Sequence, residues 1–539
     1  MMKSLLTRLV LGAFFLAALS TCTDDFTEIN TDPKNFTEAA VTAAEYPLFV
    51  RSALYTPHYM PWNQGAGDSR RDGRGAFQLG HSLFPDIYAN YFATTAAFFG
   101  SDQFELVGRW LNGAYLWFYG QAAPNIKFAE DGAADLGFEL ENAMMKVWRV
   151  YAYHRMTDLW GPIPYSNFGN LESVVPYDSQ EAIYADFFTT LDEAVAVLKA
   201  NAGGTSFLGS NDIIYGGDVD SWQRFASSLR LRLALRVKYA DPSRSQTEAE
   251  KAVADGVMLA NSDNAFIPTN NEFRNHYNTI TQWGEFRMSA DMESVLKGYQ
   301  DPRVASFFAE AAEPDATDDP AGVTFNFEGM RNGQTTADKQ GTPFNNIASN
   351  MAATYTTADV PGLNWPVLRA SEVFLLRAEG AIEGWAMGGS AQELYEQGIA
   401  ASHEELGYPG TDLSGNDYVT SPNVPAALDG TTAAVSTVPV AFDAGGTLER
   451  QLEQIITQKW IALYPDSEEA YAERRRTGYP VLYDRLNTIN PNIAVDEIPR
   501  RMPYVSSEYS TNGSAVEDAV SNLLGGPDNG TTRLWWDKK

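Results

Sequence analysis

The residues in this chain best suited to chemistry are aromatic and amide side chains that lie in loops, off any helical face. Tyr59, Trp62, Asn63 and Gln64 come first, followed by Arg70, Arg71, Asp72 and Arg74, then by Tyr91, Phe98, Phe99, Asp102 and Gln103. A second group holds Asn270, Asn271, Arg274, Asn275, His276, Tyr277, Gln282 and Trp283. Sugar rings expose C–H faces that pack on aromatic planes, and their hydroxyls need amides, carboxylates or guanidinium groups around the edge. An apolar wall with a few convergent polar groups is what small-molecule sites generally present. Tyr59, Trp62, Tyr91, Phe98, Asn275, Tyr277 and Trp283 are therefore the candidate ligand-binding residues. The competing expectation for each is local packing, because large aromatics are mostly buried.

Catalytic patterns are sparse. There is no GxSxG elbow, and His403-Glu404-Glu405 lacks the second histidine of a zinc helix. His58, His81, His154 and His276 are scattered without ligand spacing. Gly65-Ala66-Gly67 follows no strand, so it is not a nucleotide loop, and Glu313 to Asp319 lacks the twelve-residue calcium pattern. Glycoside hydrolysis needs only two carboxylates, and 69 acidic residues leave that possibility open. No catalytic residue, cofactor or metal is expected, and the reading favours a binding protein over an enzyme.

The single thiol has a different chemistry. Cys22 follows Lys3, Arg8 and an apolar run from Leu9 to Leu19, and the junction reads Leu19-Ser20-Thr21-Cys22. A basic start, an apolar stretch and small residues before a cut form a secretory signal. The junction resembles a bacterial lipobox, in which the cysteine is lipidated and becomes the first mature residue. The apolar run is too short for a spanning helix, which needs about 20 residues. Lipidation also disposes of a lone thiol that could form no intramolecular disulfide. The expected organisation is a signal peptide at 1–21, a lipidated tether and lead-in at 22–40, and one domain over 41–539.

These groups need a scaffold, and the sequence writes a helical one. Ile183, Phe187, Leu191, Ala194 and Leu198 mark one helical face behind Asp178-Ser179-Gln180-Glu181, which reads as a capping box. Trp222, Ala226, Leu229, Leu233 and Val237 form a second face, and Leu448, Leu452, Ile455, Ile456, Trp460 and Leu463 a third. Segments 139–158, 247–260, 371–384 and 390–405 also read as helices, the last two as a pair. Long polar loops at about 57–86, 262–290, 311–366 and 407–446 separate them, with few short strands. The fold class is mainly α, with tetratricopeptide-like helix pairs carrying irregular loops. A formal charge of −30 argues against nucleic acid or an anionic membrane surface as partner.

Several runs carry more than helical periodicity: Met156–Tyr165, Tyr215–Trp222, Leu229–Leu233, Asp301-Pro302-Arg303, Leu368–Glu379 and Gln458–Ala462. Glu473–Pro480, Pro499–Tyr504 and Leu534–Asp537 close the chain. In this order, after a lipobox, they resemble the SusD/RagB family of outer-membrane lipoproteins from Bacteroidetes-type bacteria. The resemblance implies four tetratricopeptide-like helix pairs on the cell surface, capping a SusC-like TonB-dependent barrel. It implies capture of a nutrient, oligosaccharide first or peptide in the RagB branch, and delivery to that transporter. Thr23-Asp24-Asp25 is similar to the surface-export signal of such lipoproteins, and an early and a mid-chain loop region assemble the family's ligand surface. A surface glycoside hydrolase is the remaining, weaker alternative. Arg230, Arg232, Arg236, Arg474, Arg475 and Arg476 read as internal ion pairs and carbonyl caps rather than as an anion site, and Trp535-Trp536 as a docked terminal segment.

Overall fold

A computed structural model describes residues 42–58, 74–271, 273–357 and 363–539, with Arg74 and Asp318 described in their backbone only. The chain divides into a leading unit, Met1–Tyr46, and a main body, Pro47–Lys539. In the described part of the leading unit, the Thr42 hydroxyl and backbone amide both donate to the Glu45 carboxylate, at 3.0 and 3.2 Å.

The main body is built on long helices: α1 (Ala123–Asp135), α2 (Glu139–Trp160), α3 (Gln180–Ala200), α4 (Val219–Arg236) and α5 (Pro242–Asp255). After α6 (Ala290–Tyr299) come α7 (Ala370–Ile382), α8 (Ala391–Glu405), α9 (Leu448–Leu463) and α10 (Ser467–Thr477). Neighbours in sequence pack on each other, α1 on α2, α2 on α3, α4 on α5 and α7 on α8, while α4 also meets α3 and α7 also meets α9. This is the expected mainly α architecture of helix pairs.

Side-chain caps fix where several helices begin. Ser179 caps α3 by accepting from the Ala182 amide at 3.2 Å, and Asp218 caps α4 by accepting from Ser221 at 2.7 Å. The expected cap one residue earlier is corrected here: Asp178 instead accepts from the Ser166 amide and hydroxyl, both at 2.8 Å. Helix α5 begins at Pro242 behind the Asp241 cap and stops before Gly256, whose φ is +100°, so the expected span of 247–260 shifts toward the N-terminus. Gly161 ends α2 at φ +83°, where an added Cβ would lie 2.9 Å from the Leu534 side chain.

The apolar faces read from the sequence are buried, except that Leu448 at the start of α9 is exposed. At the far end of the chain, Trp536 is fully buried and donates from Nε1 to Asp158 Oδ1 at 2.7 Å. Two short antiparallel ladders lie among the loops. Strands β1 (Phe92–Thr94) and β3 (Phe286–Met288) pair Phe92 with Met288, Ala93 with Arg287 and Thr94 with Phe286. Strands β2 (Ala265–Ile267) and β4 (Trp365–Leu368) form the second, with an irregularity between Ala265 and Phe266. The β1–β3 ladder therefore joins the early loop region to the mid-chain one.

The arginines of the family-like runs lie inside the helical scaffold. Arg236 Nη2 sits 2.6 Å from Glu469, its Nη1 2.9 Å from Glu473, and its Nε 3.2 Å from Asp158. Arg232 pairs with Glu372 at 2.6 Å, and Arg476 pairs with Glu379 and Glu473, each at 2.6 Å. Lys459 stands 3.2 Å from Glu473 and 3.5 Å from Glu469. These buried charges tie α2, α4, α7, α9 and α10 together, each desolvated cation facing at least one desolvated anion.

Candidate ligand-binding site

The end of the β1–β3 ladder carries an exposed aromatic surface. Beyond Thr94, the Thr95 amide donates to the Glu285 carbonyl at 2.9 Å, and the Thr95 hydroxyl to the Gly284 carbonyl at 2.6 Å. The chain then turns through Ala96 to Phe99, the Phe99 amide donating to the Ala96 carbonyl at 3.1 Å. Phe98 is 69% exposed on that turn, and Trp283, the residue before Gly284, is 46% exposed. Phe99 anchors the turn: its ring meets Phe98 at 4.5 Å, Trp110 at 5.4 Å and Phe286 at 6.1 Å. Gln282 and Asn345 are exposed at the same edge, and Gln78 Nε2 donates to Glu285 Oε2 at 2.6 Å. The result is two aromatic planes on a pinned backbone with amides beside them, the composition that ring stacking and hydroxyl recognition require.

The candidate residues divide sharply. Phe98 and Trp283 lie on this surface. Tyr91, Tyr277 and Asn275 do not, and for these three the expectation is corrected. Tyr91 is fully buried, donates to the Trp460 carbonyl at 2.6 Å and packs on the Trp460 ring at 5.4 Å. Tyr277 is 2% exposed, donates to Asp86 at 2.8 Å and stacks on Trp365 at 5.8 Å. Asn275 is also buried, its amide donating to the Leu363 carbonyl at 3.0 Å while its Oδ1 accepts from the Tyr277 amide at 3.1 Å. Their polar atoms are engaged within the fold, so no ligand is needed to satisfy them. Asp102 likewise serves the fold, 2.8 Å from the buried Lys339 ammonium. Cys22, Tyr59, Trp62 and the residues from Asn63 to Asp72 lie outside the described residues. Sequence reasoning passed over Trp110, Glu285, Arg287 and Asn345. The alternation Glu285-Phe286-Arg287-Met288-Ser289 was the available signal, but three strand residues are too few for a period to stand out.

Tertiary contacts assemble one arrangement that resembles a catalytic triad. His81 Nε2 is 3.1 Å from Ser467 Oγ, and its Nδ1 is 3.2 Å from Glu468 Oε1. Ser467 is fully enclosed and His81 1% exposed, so no substrate reaches the hydroxyl. Burial lowers the imidazole pKa, but Asp86 and Glu468 outweigh it and raise it above the ordinary value. That shift favours the charged imidazole over the neutral form a general base needs, and with the hydroxyl enclosed this cluster pins the start of α10 instead.

A cavity of about 400 Å³ lies near the ladder, lined by Met330, Phe344 and Ile347 on its apolar side and by Glu293, Asp315 and Glu328 among its acids. Burial pushes the Glu293 carboxyl up to about 7, partly offset by Lys297. Both its oxygens are occupied, Oε1 by Lys297 at 2.6 Å and Oε2 by the Gly329 amide at 2.7 Å, so Glu293 is engaged within the fold rather than aimed at a glycosidic oxygen. Among the described residues, no three Asp, Glu, His or Cys side chains converge as metal ligands.

A family model for SusD-like proteins, described as SusD and RagB outer-membrane lipoproteins, matches residues 28–537. The chain belongs to the SusD-like family. Among solved structures, a chitin-binding SusD homologue from Flavobacterium johnsoniae is 37% identical, with a TM-score of 0.77 over 92% of this chain and 98% of that one. A SusD homologue from Bacteroides vulgatus is 30% identical, with a TM-score of 0.80 over 92% and 98%. A SusD-like protein from Bacteroides thetaiotaomicron is also 30% identical, with a TM-score of 0.78 over 92% and 99%. A search of curated proteins gave no match. Among the described residues, no helix is long and apolar enough to cross a membrane.

Proposed function

We propose that this SusD-like protein captures an oligosaccharide at the cell surface and hands it, chemically unaltered, to a SusC-like TonB-dependent barrel. One observation carries the reading: Phe98 and Trp283, from loops far apart in sequence, are brought to the same end of the β1–β3 ladder and left exposed. The relative from Flavobacterium johnsoniae, a chitin-binding SusD homologue, makes chito-oligosaccharides the first ligands to test. Anchoring follows from the leader: residues 1–21 are removed, Cys22 is lipidated, and 22–40 tether the domain of 41–539. Binding then traps the sugar as the anchored domain closes on the barrel.

Titration calorimetry with chitohexaose tests the site. Trp283→Ala is expected to weaken binding about tenfold, the equivalent of about 1.4 kcal/mol. Unchanged affinity in both Trp283→Ala and Phe98→Ala would remove this surface from consideration. Chitohexaose cleavage by the purified protein would contradict hand-off without chemistry. Cys22→Ala should release the protein from the membrane fraction, and a pull-down of the lipidated form should bring a TonB-dependent barrel with it.

A further inference from the structure

Two carboxylates near the ladder end are engaged within the fold. Asp102 pairs with Lys339 at 2.8 Å, and Glu285 accepts from Gln78 at 2.6 Å. Glu105 is different. It is exposed, and no described residue donates to its carboxylate or forms an ion pair with it. Its backbone closes the turn that follows Phe98, the Glu105 amide donating to the Gly100 carbonyl at 3.0 Å. Gly100 has a φ of −98°, which any residue adopts, so backbone conformation does not call for glycine there. Space does. A Cβ on Gly100 would run into the Glu105 carboxylate and would lie 2.9 Å from Ile489 Cδ1.

Two side-chain tips of opposite character thus converge over one backbone position, two residues after the exposed Phe98. Ile489 arrives from the far end of the chain and is 54% exposed. Its segment is pinned along the turn. The Ile489 amide donates to the Gln103 carbonyl at 3.0 Å, the Thr488 hydroxyl to the same carbonyl at 3.3 Å, and Asn490 Nδ2 to the Phe104 carbonyl at 2.8 Å. The buried Lys339 ammonium fixes the turn as well, donating to the Phe99 carbonyl at 3.0 Å. An acceptor without a donor, next to an aliphatic tip, matches an acetamide, whose N–H and methyl group flank one carbonyl carbon. The carboxylate accepts the N–H, and a charged acceptor makes the stronger bond. Ile489 covers the methyl, and Phe98 offers a ring face to the pyranose.

We propose that Glu105 and Ile489 form a subsite for the acetamido group of an N-acetylhexosamine, beside a sugar ring stacked on Phe98. The inference rests on the glycan-capture reading above and adds the ligand's 2-substituent to it. The test titrates chitohexaose, cellohexaose and glucosamine hexamer into the full mature protein. Cellohexaose carries hydroxyls, and the glucosamine hexamer free amines, where chitohexaose carries acetamides. Chitohexaose should bind about ten times more tightly than cellohexaose, which leaves the Ile489 contact empty. Glu105→Ala and Ile489→Ser should each bring that ratio toward one while leaving cellohexaose affinity unchanged. Glu105→Gln should keep part of it, since its amide oxygen still accepts, and unchanged melting temperatures are the folding control. The wild-type comparison needs no variant, so it stands even if one fails to fold. Equal affinity for chitohexaose and cellohexaose overturns the proposal, as does a ratio that survives both Glu105→Ala and Ile489→Ser. Tighter binding of the glucosamine hexamer overturns it too, because Glu105 would then be pairing with an ammonium. Trp283→Ala separates the two readings. If it weakens binding while the hexamers bind alike, only the acetamide preference falls. If no hexamer binds, or if neither Trp283→Ala nor Phe98→Ala weakens binding, the capture site falls and the subsite with it.

Discussion

Arg236 and Arg287 are both more than nine-tenths buried, yet they sit in opposite electrostatic surroundings. Arg236, in the helical scaffold, lies against Asp158, Glu469 and Glu473, with the Trp536 ring 5.3 Å from its guanidinium carbon. Burial lowers its pKa, but those carboxylates outweigh burial and hold it above the ordinary arginine value. Arg287, on the loop face, meets carbonyl oxygens alone, and burial pushes its pKa down to about 10. Aromatic residues divide in the same way. Tyr91 and Tyr277 are locked into stacks and hydrogen bonds, whereas Phe98 and Trp283 face outward. The scaffold completes its interactions internally, whereas the ladder end leaves aromatic faces open to water, as the proposed binding role requires.

The contrast can be broken most forcefully from the scaffold side. Arg236→Met leaves three buried carboxylates short of a cation and should cost about 3–5 kcal/mol of unfolding free energy, read from denaturant midpoints. A loss below about 1 kcal/mol would mean the network is not what holds the helices together.

Acid should loosen the same region next. Burial would raise the Glu468 pKa, but Arg155 and His81 outweigh it and hold it at about 2, against 4.5 for an unperturbed glutamate. Its contribution is present above about 4.5 and is lost as pH falls toward 2, on the order of 3 kcal/mol across that window. Thermal melts from pH 5 to pH 2 should show this decline, and Glu468→Gln should flatten part of it.

The loop face predicts the reverse pairing of effects. Trp283→Ala should lower sugar affinity about tenfold while changing folding stability by less than about 1 kcal/mol, because the indole is already half in water. Phe98→Ala should produce the smallest change, about threefold in affinity and within about 0.5 kcal/mol in stability. A large stability loss in either variant would show that these rings serve packing after all and erase the distinction between the two regions.

The helices were legible because their signals are local. Faces such as Ile183, Phe187 and Leu191 recur at the helical period, and the Asp178-Ser179 run marked the start of α3 to within one residue of the Ser179 cap. The arginine runs were legible as internal ion pairs and carbonyl caps for a related reason, since a guanidinium beside apolar helix positions is buried and must find acceptors inside the fold. The candidate site was less readable. Tyr91 and Phe98 look alike in sequence, both in aromatic, alanine-containing stretches, yet one is buried and the other 69% exposed.

By itself the sequence determined the mainly α architecture of helix pairs and membership of the SusD-like family. Each of these rests on short spacings or on ordered runs along the chain. Tertiary structure alone decided which aromatics face water, that His81, Ser467 and Glu468 meet in a closed interior, and that Arg287 is buried without a carboxylate partner. Those outcomes depend on partners tens to hundreds of residues away, such as Trp460 for Tyr91 and Asp86 for Tyr277. Burial and charge pairing are properties of such long-range contacts, which no local pattern encodes.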